Sequence, residues 1–423
     1  MFLAMASILL PPAFQAVVTA LLMIWCVYNR AWRVAIPREA CHSKMEFRHL
    51  FRVLFWGLVL STSFHSLNLL VELYKQKEFE FYIIAKHVKL MGKQGVWGGF
   101  LILAYQYAHS RGWRIERSVK HLVVFLVCLV IYMLAQRYWG INWVHGFSSS
   151  LPDNRFAYGV YRASGFMSHP LSIAYNSMIL SLLCVGLGLR QFKDGESCKY
   201  WFLAGALSYL CLHLSASRFP LLIASLLIAL QLLLMMPRSK ALVTVIILSI
   251  SGIAGVWSIG SRSTELLDDG KSLQERIPRL VFWDVHWQMF KDNPWAGVGY
   301  TKKSEVAKEY YNRLGYQDME RKYSAHNTYL QSLADSGIIG FLSTLTILMA
   351  LFLTAWFLNK HWQLSTLGII VTSTFLAGLM QNILRDSEFV SALWSCLAIY
   401  FVFVRMKVIA GRAEVKNIQS HST

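Results

Sequence analysis

The chain has 423 residues, of which 55% are hydrophobic, 14% aromatic and only 15% charged, and its mean hydropathy is +0.42. Soluble domains carry roughly 25% charged residues, so these numbers exclude a water-soluble globule, a disordered chain, a coiled coil and a secreted disulfide scaffold, and they require a bilayer as solvent. The formal net charge is +18, from 41 Lys and Arg against 23 Asp and Glu; such an excess suggests nucleic acid in a soluble protein, but basic cytoplasmic loops in a membrane protein.

In chain order, residues 1–28 are apolar but contain Pro11-Pro12, which breaks a helix, and they form one span or a short hairpin of two. Apolar runs long enough to cross a membrane follow near 50–71, 88–108, 119–137, 169–190, 200–217, 219–236, 241–260, 337–358, 363–382 and 389–405. The expected fold is all-α: one polytopic membrane domain over 1–423, with 11 or 12 transmembrane helices. The loops on alternate sides separate by charge. One set (29–49, 109–120, 190–199, 237–240, 359–362 and 405–423) holds 19 Lys and Arg against six acids, which makes it cytoplasmic and removes the case for a nucleic-acid partner.

The other side carries one long segment, 261–336, with 11 basic and 11 acidic residues. It is the extramembrane piece large enough to be structured, so a helical subdomain over the outer face is expected there. The seven cysteines, Cys26, Cys41, Cys128, Cys184, Cys198, Cys211 and Cys396, all fall in spans or cytoplasmic loops, which argues against a disulfide framework or a thiolate metal site outside. No Lys or Arg precedes Arg30, so the basic start of a cleavable signal peptide is missing.

Three outer-face constellations carry candidate chemistry. The turn Leu214-Ser215-Ala216-Ser217-Arg218-Phe219-Pro220 puts an arginine between two spans, either as a loop cation anchoring the helix pair or as an anion ligand facing a cavity. Next, Pro278 to Asn293 reads as a short interfacial helix with Phe282, Val285 and Met289 on one side and Trp283, Trp287 and Phe290 close by. Arg276 and Arg279 stand at its start, where either could reach a phosphate or anchor a headgroup. Third, Ser324 to Gly337 reads as a helix with Ser324 as N-cap, Gly337 as stop, and His326, Tyr329, Leu330 and Leu333 on one face. A histidine there is by default packed or bonded to headgroups. In the first helical turn, however, the positive end of the dipole keeps imidazole neutral, which makes His326 a candidate general base.

Arg162 and Arg385 also map to the outer side, and Arg385 beside Asp386 reads first as a local ion pair. The sequence has no GxxxxGK[ST] phosphate loop, HExxH or GxSxG, and no DxD-type motif on a cytoplasmic loop. These absences disfavour a cytoplasmic nucleotide-sugar transferase and a zinc or serine hydrolase.

Taken together, Ser215 to Arg218, then Arg279, Trp283, Pro294 and Gly297-Val298-Gly299, then His326-Asn327-Thr328-Tyr329-Leu330 leading to Gly337 and Gly340, resemble the bacterial O-antigen ligase superfamily over roughly 155–400. The superfamily comprises lipopolysaccharide O-antigen ligases, O-antigen polymerases and O-linked oligosaccharyltransferases. The resemblance implies an inverting glycosyltransferase of the inner membrane, active on the periplasmic side without metal, nucleotide or other cofactor. By that resemblance, Arg218 and Arg279 bind the diphosphate of an undecaprenyl-diphosphate-linked O-antigen donor, and His326 deprotonates the acceptor hydroxyl; Arg162, Arg276 and Arg385, by their outer-face positions alone, are candidate secondary substrate contacts. The polar stretch from Met380 to Ser387, with Trp394 beyond it, looks most like the ligases, whose acceptor is lipid A-core oligosaccharide. A polymerase extending a lipid-linked glycan is the near alternative. A transporter of lipid-linked glycans is the competing class, disfavoured because Glu72 and Glu388 lie only at span ends and no related halves are visible.

Overall fold

The computed structural model describes residues 5–10, 12–29, 31, 43–76, 81–92, 95, 97–142, 156–157, 160–236, 278–300, 303–316, 324–357 and 366–421. The expected span 241–260 and Arg276 lie outside these residues. Helices dominate: α1 (Pro12–Tyr28), α2 (Ser43–Gln76), α3 (Phe81–Met91), α4 (Trp97–Ser110), α5 (Ile115–Trp139), α6 (Pro170–Lys193), α7 (Lys199–Leu214), α8 (Arg218–Met235), α9 (Pro278–Asp292), α10 (Lys303–Arg313), α11 (Thr328–Phe357), α12 (Thr366–Met380) and α13 (Ser387–His421). Two-residue strands at Phe156–Ala157 and Val160–Tyr161 pair antiparallel before α6.

Six helices among the described residues are long and apolar enough to cross a membrane, at Arg52–Lys75, Ile115–Trp139, Pro170–Lys193, Arg218–Met235, Thr328–Trp356 and Ser387–Met406. Val17–Tyr28 and Thr366–Met380 are shorter apolar helices. The chain is thus an all-α, multi-pass membrane bundle. At the start, a 3-10 turn over Ser7–Leu9 leads into the single helix α1, so Pro12 opens a helix, as its fixed φ favours. The expected span 88–108 is instead divided between α3 and α4, which end and begin at Met91 and Trp97.

Burial sorts the helices. In α6, 89% of the most apolar window is buried, against 28% in the Arg52–Lys75 part of α2, so α6 is the central post and α2 presents most of its surface outward. Helix α6 packs against α7, α8, α12 and α13. The most extensive pairing is α2 with α11, where Gly57 faces Ala350 so closely that an added Cβ would fall 2.3 Å from the alanine Cβ. One helical turn on, the Ser61 and Ser343 hydroxyls bond at 2.9 Å. Small residues and a hydroxyl pair at a crossing are the means by which helices associate where lipid removes the hydrophobic drive.

Helix α11 is broken at Gly337, whose φ of 60° and ψ of −160° are not helical. The segment Pro294–Gly299 crosses it there and takes up the freed backbone groups. Val298 N donates to Ala334 O and Gly299 N to Asp335 O, each at 3.0 Å, while Ile338 N donates to Pro294 O at 2.8 Å and Ile339 N to Trp295 O at 3.2 Å. The crossing is so close that a Cβ on Gly297 would meet Asp335 C at 2.4 Å, and one on Gly337 would meet Trp295 C at 2.3 Å. Gly337 therefore interrupts a helix that resumes, rather than stopping it, because a neighbouring segment satisfies the backbone that a helix interior otherwise must.

Candidate active site

Contacts between loops bring one set of helix ends together. Arg162 Nη2, before α6, donates to Ser217 Oγ at 3.1 Å at the α7–α8 turn. Within α6, the Ser172 hydroxyl donates to Asp386 Oδ2 at 3.0 Å, and the backbone N–H of Ser168 donates to Glu388 Oε1 at 3.1 Å. The N-termini of α6, α8, α11 and α13 and the C-termini of α7 and α12 thus share one end of the bundle. The basic residues Arg190, Lys193 and Lys199 of the α6–α7 connection lie at the other end.

At the shared end, His326 is built into a corner. Its Nδ1 lies 2.8 Å from Gln381 Oε1, just beyond α12. With Nδ1–H donating to that oxygen, the ring's lone pair is on Nε2, the atom that can accept a proton. His326 does not stand in the first helical turn as expected. The cap is Asn327, whose Oδ1 accepts from the N–H groups of Tyr329 and Leu330 at 3.0 and 3.1 Å, which leaves His326 just outside the helix at φ 47°. Asn outcompetes Ser324 because its carbonyl reaches two N–H groups of the first turn. A positive φ is uncommon for a residue with a Cβ and tends to mark constrained functional positions.

The corner is cross-braced. Ala325 N donates to Gln331 Oε1 at 2.8 Å, the Asn382 amide donates to the same oxygen at 3.0 Å and also to Ser324 Oγ, and Thr328 Oγ1 donates to Gln381 O at 2.7 Å. Helix α9 closes it from the side. Trp283 Nε1 donates to Ala325 O at 3.0 Å, and the Phe282 ring sits 5.9 Å from the imidazole. As expected, Phe282, Val285 and Met289 form the buried face of α9, together with Tyr310 and Tyr311 of α10 and Ala334 of α11.

Arg279, on the first turn of α9, is exposed and reaches Met380 Sδ with Nη1 at 3.3 Å. It therefore stands at the residue preceding the glutamine that holds His326. Arg218 is half-buried at the start of α8, beside Ser217 and hence beside Arg162. The candidates form two groups, Arg162 with Arg218 and Arg279 with His326, and α6 runs between them: it begins after Arg162 and packs against α12, which ends at Met380 beside Arg279.

Arg385 pairs with Asp335 rather than with its neighbour Asp386. Asp386 is occupied locally, accepting from Ser172 and from the Glu388 N–H at 2.9 Å. Glu72 and Glu388 lie near the ends of the spans Arg52–Lys75 and Ser387–Met406, and each is no more than 4% exposed. Glu72 Oε2 lies 2.8 Å from His87 Nε2 and accepts from Tyr300 N at 3.0 Å.

Residues 203–345 match the family model Wzy_C, described as O-antigen ligase. The match supports the O-antigen ligase superfamily. No curated protein matches the chain. The matched stretch runs from within α7 past the break in α11, and contains Arg218, Arg279, Trp283, the Pro294–Gly299 crossing and His326. It supports a membrane glycosyltransferase-like function of the O-antigen ligase and polymerase kind. Gln381, Asn382 and Arg385 lie beyond the matched residues; in the sequence their signal is a polar run following an apolar span, and nothing local says which histidine it supports. Gln331 and Asp335 read as an ordinary polar face of a helix until the corner is assembled.

Proposed function

We propose that the chain is an inverting, metal-independent glycosyltransferase that moves O-antigen polysaccharide from undecaprenyl diphosphate to lipid A-core oligosaccharide on the periplasmic side of the bacterial inner membrane. The observation that carries the reading is the seating of His326: its Nδ1 is fixed on Gln381, and the neighbouring residue is in contact with Arg279. In this mechanism, Nε2 takes the proton of the acceptor hydroxyl as that oxygen attacks the anomeric carbon. The bond from that carbon to the diphosphate oxygen breaks on the opposite face. The departing charge falls to Arg218 and Arg279, with Arg162 and Arg276 in support.

Such a division of labour suits the groups available. A neutral imidazole as base typically contributes ~10²–10⁴-fold, and a fixed donor to a leaving anion about 3–4 kcal/mol. The orientation follows from the charge asymmetry of the loops, because the clustered site lies at the end opposite Arg190, Lys193 and Lys199.

The test is purification of wild type and His326→Ala, each incubated with undecaprenyl-diphosphate-linked glycan and lipid A-core, with products resolved by gel and mass spectrometry. Glycan on lipid A-core with wild type alone supports the ligase. Lengthening of the glycan on its polyprenyl carrier assigns a polymerase instead. Equal activity in the two proteins removes His326 as base, and lipid-linked glycan crossing vesicles without bond formation in both would make the chain a transporter.

A further inference from the structure

Next to the histidine corner lies a second set of charges that the proposed reaction does not use. Asp335 is fully buried, and its oxygens are shared unequally. Oδ1 accepts from Gln331 Nε2 at 2.8 Å, whereas Oδ2 faces both the Arg385 guanidinium and Lys303 Nζ, the lysine at 3.7 Å, beyond hydrogen-bond length. The same two cations lie over one aromatic ring, Lys303 at 4.9 Å and Arg385 at 5.1 Å from the Tyr300 centroid. Lys86 of α3 adds a third positive charge that bears on Lys303. Among the described residues, Glu72 is a second acid close by, and it is committed to His87 and the Tyr300 N–H.

Two cations, Arg385 and Lys303, thus face one carboxylate oxygen of Asp335 where solvation is poor, and an arriving anion would gain from them. Burial first, and the charge of Arg385 next, push the Lys303 amine down to about 8. Access exists, since the Lys303 side chain is 30% exposed while that of Arg385 is 11% exposed.

We propose that Lys303, Arg385 and the Tyr300 ring form an anion subsite for a phosphate group, separate from Arg218 and Arg279. The guanidinium offers a planar pair of donors and the ammonium a point charge, a combination suited to phosphate. Asp335 links Arg385 to Gln331, whose Oε1 accepts from Ala325 N next to His326, so the subsite is connected to the corner that holds the imidazole. Assigning that phosphate to the acceptor glycolipid rests on the proposed function; the subsite itself does not.

Lysine acylation tests it on the full chain in lipid nanodiscs. An amine held below the usual lysine range is more often neutral and nucleophilic near neutral pH, so Lys303 should label readily, with the exposed Lys308 as an internal reference, both quantified by peptide mass spectrometry. Millimolar inorganic phosphate should protect Lys303 at least several-fold against ionic-strength-matched chloride, with Lys308 unchanged, and Arg385→Gln should lose the protection when labelled at a temperature below its own lowered melting transition, where circular dichroism shows it folded. Protection by phosphorylated glycolipid at far lower concentration than by free phosphate, lost when the glycolipid is dephosphorylated, assigns the lipid as source. Protection by free phosphate alone assigns a small-anion subsite. Equal labelling in phosphate, glycolipid and chloride overturns the proposal. Labelling needs no glycosyl transfer, so this result and a failure of the ligase assay are distinguishable.

Discussion

Replacing Gly297 by alanine tests the crossing of Pro294–Gly299 over the break in α11. Two costs add. Gly297 has φ 68°, a left-handed conformation that costs a residue with a Cβ roughly 1–2 kcal/mol. The new Cβ would also lie 2.4 Å from Asp335 C and Ser336 N and 2.6 Å from Asp335 O, and these are backbone atoms that cannot swing away. Relief requires the segment to lift, which loosens the four backbone hydrogen bonds that bind it to α11, each worth about 1 kcal/mol net. The total is about 3–6 kcal/mol. Two controls separate the terms: Gly195 has φ 72° with nothing within 4 Å of its Cβ position, while Gly99 has open space and an ordinary helical φ. Thermal unfolding in one detergent should place Gly99→Ala at or above wild type, Gly195→Ala slightly below, and Gly297→Ala far below, with glycosyl transfer lost as well, because Asp335 holds Gln331, which braces the His326 corner through Ala325 N. A Gly297→Ala melting temperature equal to that of Gly195→Ala would refute the close crossing.

Gln381→Leu should lower glycosyl transfer by at least about tenfold, short of the ~10²–10⁴-fold loss in His326→Ala, with substrate binding and melting temperature little changed; full activity would mean that Gln381 does not orient the imidazole. Arg385→Met leaves the buried Asp335 with the more distant Lys303 as its described cation and should cost about 3–5 kcal/mol, seen as a lowered melting temperature that Asp335→Asn partly restores in the same background. The Asp292 carboxyl is held below its usual range, first by hydrogen bonding to Arg313 and then by the Tyr310 hydroxyl. Its contribution is therefore present above the unfolded value of about 3.9 and lost as pH falls through the lower folded value. The difference in melting temperature between wild type and Arg313→Gln should be constant at neutral pH and shrink below about pH 4; a difference that grows in acid would reverse the assignment.

Much of the architecture follows from composition alone. A chain this apolar must pair its backbone within itself in lipid, and the helix is the local way to do so, so the spans of α2, α5, α6, α8 and α13 are legible as runs of apolar residues. Legibility fails where the backbone departs from a regular helix. The region 88–108 is apolar throughout much of its length but divides between α3 and α4, since hydropathy measures residence in lipid and not continuity. Gly337 signals a special backbone angle but not whether the helix resumes, which depends on the donors and acceptors that Pro294–Gly299 presents from outside the helix.

The candidate residues divide in the same way. Arg218, Arg279 and His326 can be named from the sequence because charges and imidazoles are conspicuous in an apolar chain, and removing one from water demands a reason. Their supports cannot be named so. Asn327 rather than Ser324 caps α11, Gln381 holds the ring from 55 residues away, and Asp335 takes Arg385 from 50 residues away in place of the adjacent Asp386. The sequence by itself determined that this is a helical membrane protein with cations and one candidate base toward one end. Only the tertiary structure decided which side chains fix that base and which carboxylate faces which cation, because hydrogen bonds act over about 3 Å and only folding brings residues so distant in the chain within that range.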